Sequence, residues 1–258
     1  ADVVYRLREA DTEGPSRLQT LILRGGSRMP LWGIACLLLL LPVWRHNVPL
    51  QMDLPDDSAL RSSFFALYLL FYVLRSFFAQ QAQRVTPESQ PAEGDARVYE
   101  SQGSILWLRL FSLAVWVVIF LYGFDAERMA WFALPVPVGF RWVCIGWSGV
   151  NLGLLIWTHQ SLGPNWSRRL QIPAEQTIVT HGPYQWVRHP MYTLLCGFYL
   201  STAFAASNAL ILIVSLGMAW GLYVRVQQEE HMMLQHFGDD YRAYMQRTGR
   251  FLPRSRRR

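Results

Sequence analysis

The stretch Gly182-Pro183-Tyr184-Gln185-Trp186-Val187-Arg188-His189-Pro190-Met191-Tyr192 gathers a guanidinium, an imidazole and two phenols where a polar loop meets a long apolar run. Pro190 suits the first turn of a helix, because its missing N–H would have had no partner there, so Arg188 and His189 fall at the helix entrance. Unengaged backbone donors and the positive end of the helix dipole are then expected to face an approaching anion. A second polar cluster, Arg225, Glu229 and Glu230, follows the next two apolar segments. A return of the chain to the same membrane face would join both clusters in one pocket. Glu229 lies four residues after Arg225 and can pair with it along a helix. Glu230 points elsewhere and, with Arg188, forms the expected functional pair.

The loop before this stretch carries Leu162-Gly163-Pro164-Asn165-Trp166-Ser167-Arg168-Arg169 and Ile178-Val179-Thr180-His181. Gly163 and Gly182 permit backbone geometries that bring peptide groups close to a ligand. Trp166, Tyr184 and Trp186 can cover a flat ring or sit in the headgroup belt of a membrane. Other chemistries find little support. The basic residues are all arginine, which excludes Schiff-base lysines and a P-loop lysine. Cys36, Cys144 and Cys196 sit singly in apolar segments, away from any CxxC spacing, and read as packing residues. His231 and His236 do not have the spacing of a His-Glu-x-x-His metal helix. Gly146-Trp147-Ser148-Gly149 misses the spacing of a nucleophile elbow.

The elements that must position these residues are membrane helices. Apolar residues make up 52% of the chain and charged residues 16%, against usual values of roughly 45–50% and about 25%. The net charge of +6 gathers beside apolar segments, so lipid headgroups explain it better than nucleic acid does. Apolar runs near 30–44, 59–79, 104–124, 137–158, 191–206 and 209–226 give an expectation of an all-α, polytopic transmembrane bundle of about six helices. The last two, parted only by Ser207-Asn208, read as a tight helical hairpin. Arginines concentrate before the first run, after the second and fourth, and beyond residue 240, whereas the opposite loops hold only Arg45 and Arg128. By the positive-inside rule both termini and the 160–190 loop are cytoplasmic. The start of the chain lacks the pattern of a cleavable signal peptide, so insertion is assigned to the internal helices. The expected organisation is a cytoplasmic or interfacial lead-in (1–28), two accessory membrane helices (29–79), a polar linker (80–103) and a membrane core with a cytoplasmic pocket (104–258).

The order of the motifs adds a family resemblance. Leu162-Gly163-x-Asn165-Trp166-Ser167, Val179-Thr180-His181-Gly182-Pro183-Tyr184 and Val187-Arg188-His189-Pro190-Met191-Tyr192 come first. Then come the hairpin, Arg225-x-x-x-Glu229-Glu230, and His236-Phe237-Gly238-x-x-Tyr241-x-x-Tyr244. In this order, from about residue 137 to 253, the chain resembles the integral membrane methyltransferases of the isoprenylcysteine carboxyl methyltransferase and phosphatidylethanolamine N-methyltransferase superfamily. The isoprenylcysteine type is the closer match. One departure is Leu194, where the family often has glycine.

The resemblance implies a cytoplasm-facing pocket for S-adenosylmethionine and a lipid-soluble acceptor that enters from the bilayer. Arg188 and one of Glu229 and Glu230 inherit a role in activity. Gly163, His181, Tyr184, His189, Tyr192 and Glu229 are expected at the cofactor, and Asn165 and Trp166 at the substrate. The chemistry of the residues agrees. Arg188 and the donors around His189 suit a carboxylate, Glu229 or Glu230 suits an ammonium or ribose hydroxyls, and aromatic faces suit adenine or a sulfonium. Methyl transfer is an in-line displacement that needs positioning and no metal. The acceptor stays open among carboxylates, thiols and lipid amines. All-arginine usage and compactness point to a bacterial inner membrane. Two alternatives stand beside this reading. Sterol-type reductases that use NADPH share an Arg-His near the same helix start, but Pro190-Met191-Tyr192 and Glu229-Glu230 depart from their pattern. A non-enzymatic protein that keeps the fold would not need the intact set of Arg188, His189, Tyr192, Glu229 and Glu230.

Overall fold

The computed structural model describes residues 57–85, 101–166 and 177–254. The lead-in 1–28, the apolar run near 30–44, Cys36, residues 86–100 of the linker, and Arg168 and Arg169 lie outside the described residues. The described helices are α1 (Asp57–Val85), α2 (Gln102–Phe124), the short α3 (Ala126–Ala130), α4 (Val138–Leu162), α5 (Pro190–Ala206) and α6 (Ala209–Arg247). Single 3-10 turns occupy Gly163–Asn165 and Gly182–Gln185. Among the described residues there is no strand, only isolated bridges at Ala133–Asn208 and Val187–Gly249.

Four of these helices, α1, α2, α4 and α6, are long and apolar enough to cross a membrane. The expected all-helical, polytopic architecture is therefore present. At 17 residues, α5 rises about 25 Å, short of the roughly 30 Å of a bilayer core.

Burial explains how the bundle meets lipid. On α2, Leu106, Leu110, Leu113, Val117, Phe120 and Phe124 are exposed at alternating spacings of four and three residues, which draws one apolar stripe along the helix. On α4 the same stripe is drawn by Phe140, Val143, Trp147, Val150, Leu154 and Trp157. Small polar side chains instead lie between helices. The Ser148 and Ser201 hydroxyls are 2.7 Å apart between α4 and α5, and the Tyr68 and Thr202 hydroxyls are 3.1 Å apart between α1 and α5. Such pairs join helices where hydrocarbon offers no other partner.

Helices α2 and α6 approach through Gly217 and Gly221, a glycine pair four residues apart. A Cβ on Gly217 would fall 1.8 Å from the Phe111 ring, and one on Gly221 would fall 2.7 Å from Trp107. Trp107 also donates its indole N–H to the Gly217 carbonyl at 2.9 Å. This close packing brings the start of α2 beside the C-terminal half of α6, where Ser104 Oγ donates to Gln228 Oε1 at 3.0 Å.

The expected hairpin is present. Ser207 ends α5 with a left-handed φ of 54°, and Asn208 starts α6 by accepting from the N–H groups of Leu210 and Ile211. At the other end α6 bends at Gly238, where φ is 52° and ψ is −118°. That backbone conformation favours glycine. The bend lets the last turns of α6 fold back over the start of α5.

Candidate functional site

The site forms where that bent end of α6 meets the entrance of α5 and the 162–189 loop. A cavity of about 100 Å³ opens there, walled by Leu162, Asn165, Trp166, Thr177, Ile178, Val179, Tyr184, Arg188, His189, Met191, Tyr192, Glu229, Met232, Met233, Tyr241 and Tyr244. Of the residues expected at a site, Asn165, Trp166, Tyr184, Arg188, His189, Tyr192 and Glu229 line it. Gly163, His181 and Glu230 stand behind the lining.

Arg188 is the most constrained side chain of the group. Its Nε donates to Glu230 Oε1 at 3.1 Å, and its Nη1 donates to the carbonyls of Met245 and Thr248 at 3.1 and 2.5 Å. Nη2 has no protein partner among the described residues, so two N–H donors of a cavity-lining guanidinium stay available to a ligand. Glu230 is buried and collects three donors: Arg188, His189 Nε2 at 3.3 Å, and Arg250. A carboxylate only accepts, so His189 carries its proton on Nε2. Glu230 is thus an anchor beneath the cavity floor, held by neighbours on both sides of its carboxylate.

Glu229 faces the cavity instead. The Tyr192 hydroxyl donates to Glu229 Oε2 at 2.7 Å and receives from Arg225 Nε at 3.3 Å. The expected partnership of Arg225 and Glu229 is therefore bridged by a phenol from α5. The four-residue spacing sets the two groups on one face, and the packing of α5 inserts Tyr192 between them.

One expectation requires correction. Two of the backbone donors at the helix entrance are already engaged: Arg188 N–H donates to the Gly249 carbonyl at 2.8 Å and His189 N–H to the Arg250 carbonyl at 3.1 Å. Backbone polar groups in a compact fold find partners, and here the segment that follows α6 supplies them. Pro190 does occupy the first helical position, as its lack of an N–H predicts.

The loop walls are set locally. Gly163 closes α4 at φ 53° and Gly182 opens its turn at φ 59°, and a Cβ on Gly182 would also fall 2.3 Å from Ser161 Oγ. His181 is exposed at the head of that turn, where its carbonyl accepts from Tyr184 N–H at 3.2 Å. Asn165 Oδ1 accepts from Thr177 N–H at 3.2 Å and so ties the two sides of the loop. The Tyr184 carbonyl accepts from the Tyr244 hydroxyl at 2.7 Å. Burial, with the Glu229 carboxylate nearby, pushes the Tyr184 phenol well above its ordinary pKa, so it stays a neutral hydroxyl. Leu194 packs against the core and does not line the cavity.

On the α1 side, Arg75 lies over the Trp166 ring at 5.5 Å and reaches His159 Nε2 at 3.3 Å and Met191 Sδ at 3.8 Å. It is held inward rather than extended along the helix toward headgroups as its position near a helix end suggests. His159 is buried and its Nδ1 lies 3.1 Å from the Leu155 carbonyl. Among the described residues no group of three or more metal-ligating side chains forms.

Sequence reasoning did not single out Thr177, Met232, Met233, Tyr241, Tyr244 or Arg250 as site residues. Tyr241 and Tyr244 stood in a motif that carried the resemblance and Arg250 fell within its span, and that was the available signal. Their role depends on the bend at Gly238, which has no local sequence mark beyond the glycine.

Together these features define a class: an all-helical membrane protein with a polar, arginine-centred pocket at one end of its bundle. Residues 150–235 match the model of the isoprenylcysteine carboxyl methyltransferase (ICMT) family. The chain is similar to protein-S-isoprenylcysteine O-methyltransferases of Tribolium castaneum, at 31% identity over 94 residues (35% of this chain, 34% of the relative), and of Xenopus laevis, at 31% over 78 residues (30% and 27%). Similarity to protein-S-isoprenylcysteine O-methyltransferase B of Arabidopsis thaliana is 30% over 94 residues, 35% of this chain and 48% of that one. The chain thus matches about a quarter to a half of the length of these relatives. It shares a fold with the solved eukaryotic intramembrane Ras methyltransferase ICMT, at a TM-score of 0.52 and 17% identity, over 97% of this chain and 91% of that one. The family resemblance drawn from the motifs is therefore present in the comparisons.

Proposed function

We propose that the chain is an S-adenosylmethionine-dependent methyltransferase acting on a membrane-soluble acceptor, with the cavity as its cofactor site. The observation that carries this is Arg188, a buried guanidinium locked by Glu230 and two carbonyls whose Nη2 edge remains for an anion. That edge suits the carboxylate of an amino acid moiety. The Glu229 carboxylate, oriented by Tyr192, suits the ammonium of the same moiety or the hydroxyls of a ribose. Trp166, Tyr184 and Tyr241 offer ring faces for adenine or a sulfonium. His189 and Glu230 hold Arg188 in place, and Gly163 and His181 shape the loop around it.

When bound, S-adenosylmethionine supplies an electrophilic methyl group, and the protein's task is to align it with the acceptor. The donor set fits this cofactor. The described walls enclose about 100 Å³, less than the roughly 300–1,000 Å³ of ordinary small-molecule sites.

The acceptor side is assigned to Asn165, Trp166 and the α1 face that carries Arg75. The relatives' names make an isoprenylated cysteine carboxylate the first acceptor to try, and a thiol or a lipid amine would use the same cofactor contacts. The topology in this reading has six crossings, with the 29–79 pair as accessory helices, 80–103 as a linker and 104–258 as the catalytic core. Both termini and the pocket face the cytoplasm, which the arginine distribution supports. A bacterial inner-membrane address rests on the arginine usage and compactness, because the named relatives are eukaryotic.

The test uses purified protein in lipid nanodiscs. Transfer of labelled methyl from S-adenosylmethionine to a farnesylated cysteine, with calorimetric binding of S-adenosylhomocysteine, is the expected result. Binding of NADPH without S-adenosylhomocysteine would replace this reading with the reductase, and binding of neither by folded protein would remove both.

A further inference from the structure

The segment after α6 is built into the site. Gly249 N–H donates to the Trp186 carbonyl at 3.1 Å, Arg188 N–H returns to the Gly249 carbonyl at 2.8 Å, and His189 N–H reaches the Arg250 carbonyl at 3.1 Å. Thr193 Oγ1 donates to the Phe251 carbonyl at 3.0 Å. The turn that makes this possible is tight: a Cβ on Gly249 would fall 1.7 Å from the Leu252 carbonyl oxygen. Thr248–Phe251 therefore lies as a strap along residues 186–193, pairing with the backbone on either side of the arginine whose edge faces the cavity.

The strap also reaches Arg188 through side chains. Its Thr248 carbonyl takes Arg188 Nη1, and its Arg250 guanidinium binds Glu230 Oε2 while Arg188 and His189 share Oε1. Glu230 is thus clamped at both oxygens. The Glu230 carboxylate holds the Arg250 guanidinium above its ordinary pKa, which keeps this clamp charged. Without Arg250 the carboxylate can rotate, and Arg188 Nε can follow either oxygen, which moves Nη2 relative to the cavity.

We propose that Arg250 is a positioning residue of the cofactor pocket, and that the Thr248–Phe251 strap fixes the Glu230 carboxylate so that Arg188 presents Nη2 to the ligand. This inference rests on the cavity being the S-adenosylmethionine site and adds the element that makes it competent.

The test is calorimetry of S-adenosylhomocysteine with the full chain in nanodiscs, for wild type, Arg250→Ala, Arg250→Lys and Arg254→Ala. Arg254 belongs to the same segment but donates to the Gln246 carbonyl, not to Glu230, so its variant controls for a general loss of charge. Arg250→Ala is expected to weaken binding about tenfold, the scale of one charge-assisted hydrogen bond. Arg250→Lys restores part of the loss, because an ammonium can still reach Oε2, and Arg254→Ala leaves affinity unchanged. Hydrogen exchange reads the strap without any ligand: the Arg188 and His189 amides should exchange faster in Arg250→Ala, while α4 stays as protected as in wild type. Wild-type affinity in Arg250→Ala, or a loss that Arg250→Lys does not relieve, would overturn the inference and leave the cofactor reading intact. Failure of the wild type itself to bind the nucleoside would sink the cofactor reading and this inference with it, whatever the exchange data show about the strap.

Discussion

The two ends of the bundle are both polar, and they use polarity differently. At the α5–α6 turn, side chains serve individual backbone groups. Asn208 accepts from two N–H groups of α6 and donates to the Met129 carbonyl, Arg141 Nε donates to the Ala205 carbonyl at 2.9 Å, and Ser207 Oγ donates to the Leu134 carbonyl. Main-chain pairing completes the joint, with Leu134 N–H on the Ser207 carbonyl and Ala209 N–H on the Phe132 carbonyl. These contacts close chain ends. At the other end Arg188, His189 and Arg250 converge on one carboxylate, while Tyr192 and Arg225 orient a second one toward a cavity. Charges gathered in this way cost desolvation, and leaving donors directed at a cavity serves no packing purpose. The difference separates polarity that finishes helices from polarity arranged to meet a ligand.

The comparison is broken most severely through Arg188. Arg188→Ala removes the cavity donor and leaves Glu230 with fewer partners. S-adenosylhomocysteine binding should fall about 10- to 100-fold, the range of a hydrogen bond to a charged group. An affinity within twofold of wild type, in protein that remains inserted and folded, would take Arg188 out of the site.

Asn208→Ala sharpens the contrast from the other end. Loss of the cap and of the bond to Met129 should cost about 1–2 kcal/mol of stability, read as a lower unfolding midpoint in mild detergent. Nucleoside affinity should stay at the wild-type value. A matching loss of affinity would show that the two ends are coupled and that the distinction drawn here fails.

The smallest expected effect is that of Tyr192→Phe. It keeps the ring and deletes the hydroxyl between Arg225 and Glu229, so affinity should drop about threefold to tenfold, one ordinary hydrogen bond's worth. A larger loss would mean that Glu229 swings onto Arg225 and leaves the cavity altogether, which a double substitution with Glu229→Gln would detect as non-additivity.

Much of this was legible from residues alone, for identifiable reasons. Pro190 marks a helix start because of its missing N–H, Ser207-Asn208 marks a helical turn by interrupting two apolar runs, and the motif order carries the family. What stayed hidden depends on which way helices face. Glu229 and Glu230 are adjacent in sequence, and only the packing of α5 against α6 turns Glu229 to the cavity and Glu230 beneath it. The short reach of α5 was legible in the apolar run 191–206, whereas the continuation of α6 beyond its apolar run to Arg247 was not. The strap at Thr248–Phe251 was invisible because its bonds are mostly main chain, which carries no residue signature. For the same reason the N–H groups of Arg188 and His189 looked available in sequence when they are engaged. Gly217 and Gly221 read as ordinary members of an apolar run until Phe111 and Trp107 are placed against them.

The most direct test of the central claim is photochemical cross-linking of methyl-labelled S-adenosylmethionine to the protein in nanodiscs, followed by peptide mapping. Label is expected on peptides covering residues 177–192 and 229–244, displaced by S-adenosylhomocysteine and unaffected by Asn208→Ala. Label on the peptides of the α5–α6 turn, or labelling that S-adenosylhomocysteine fails to displace, would contradict it.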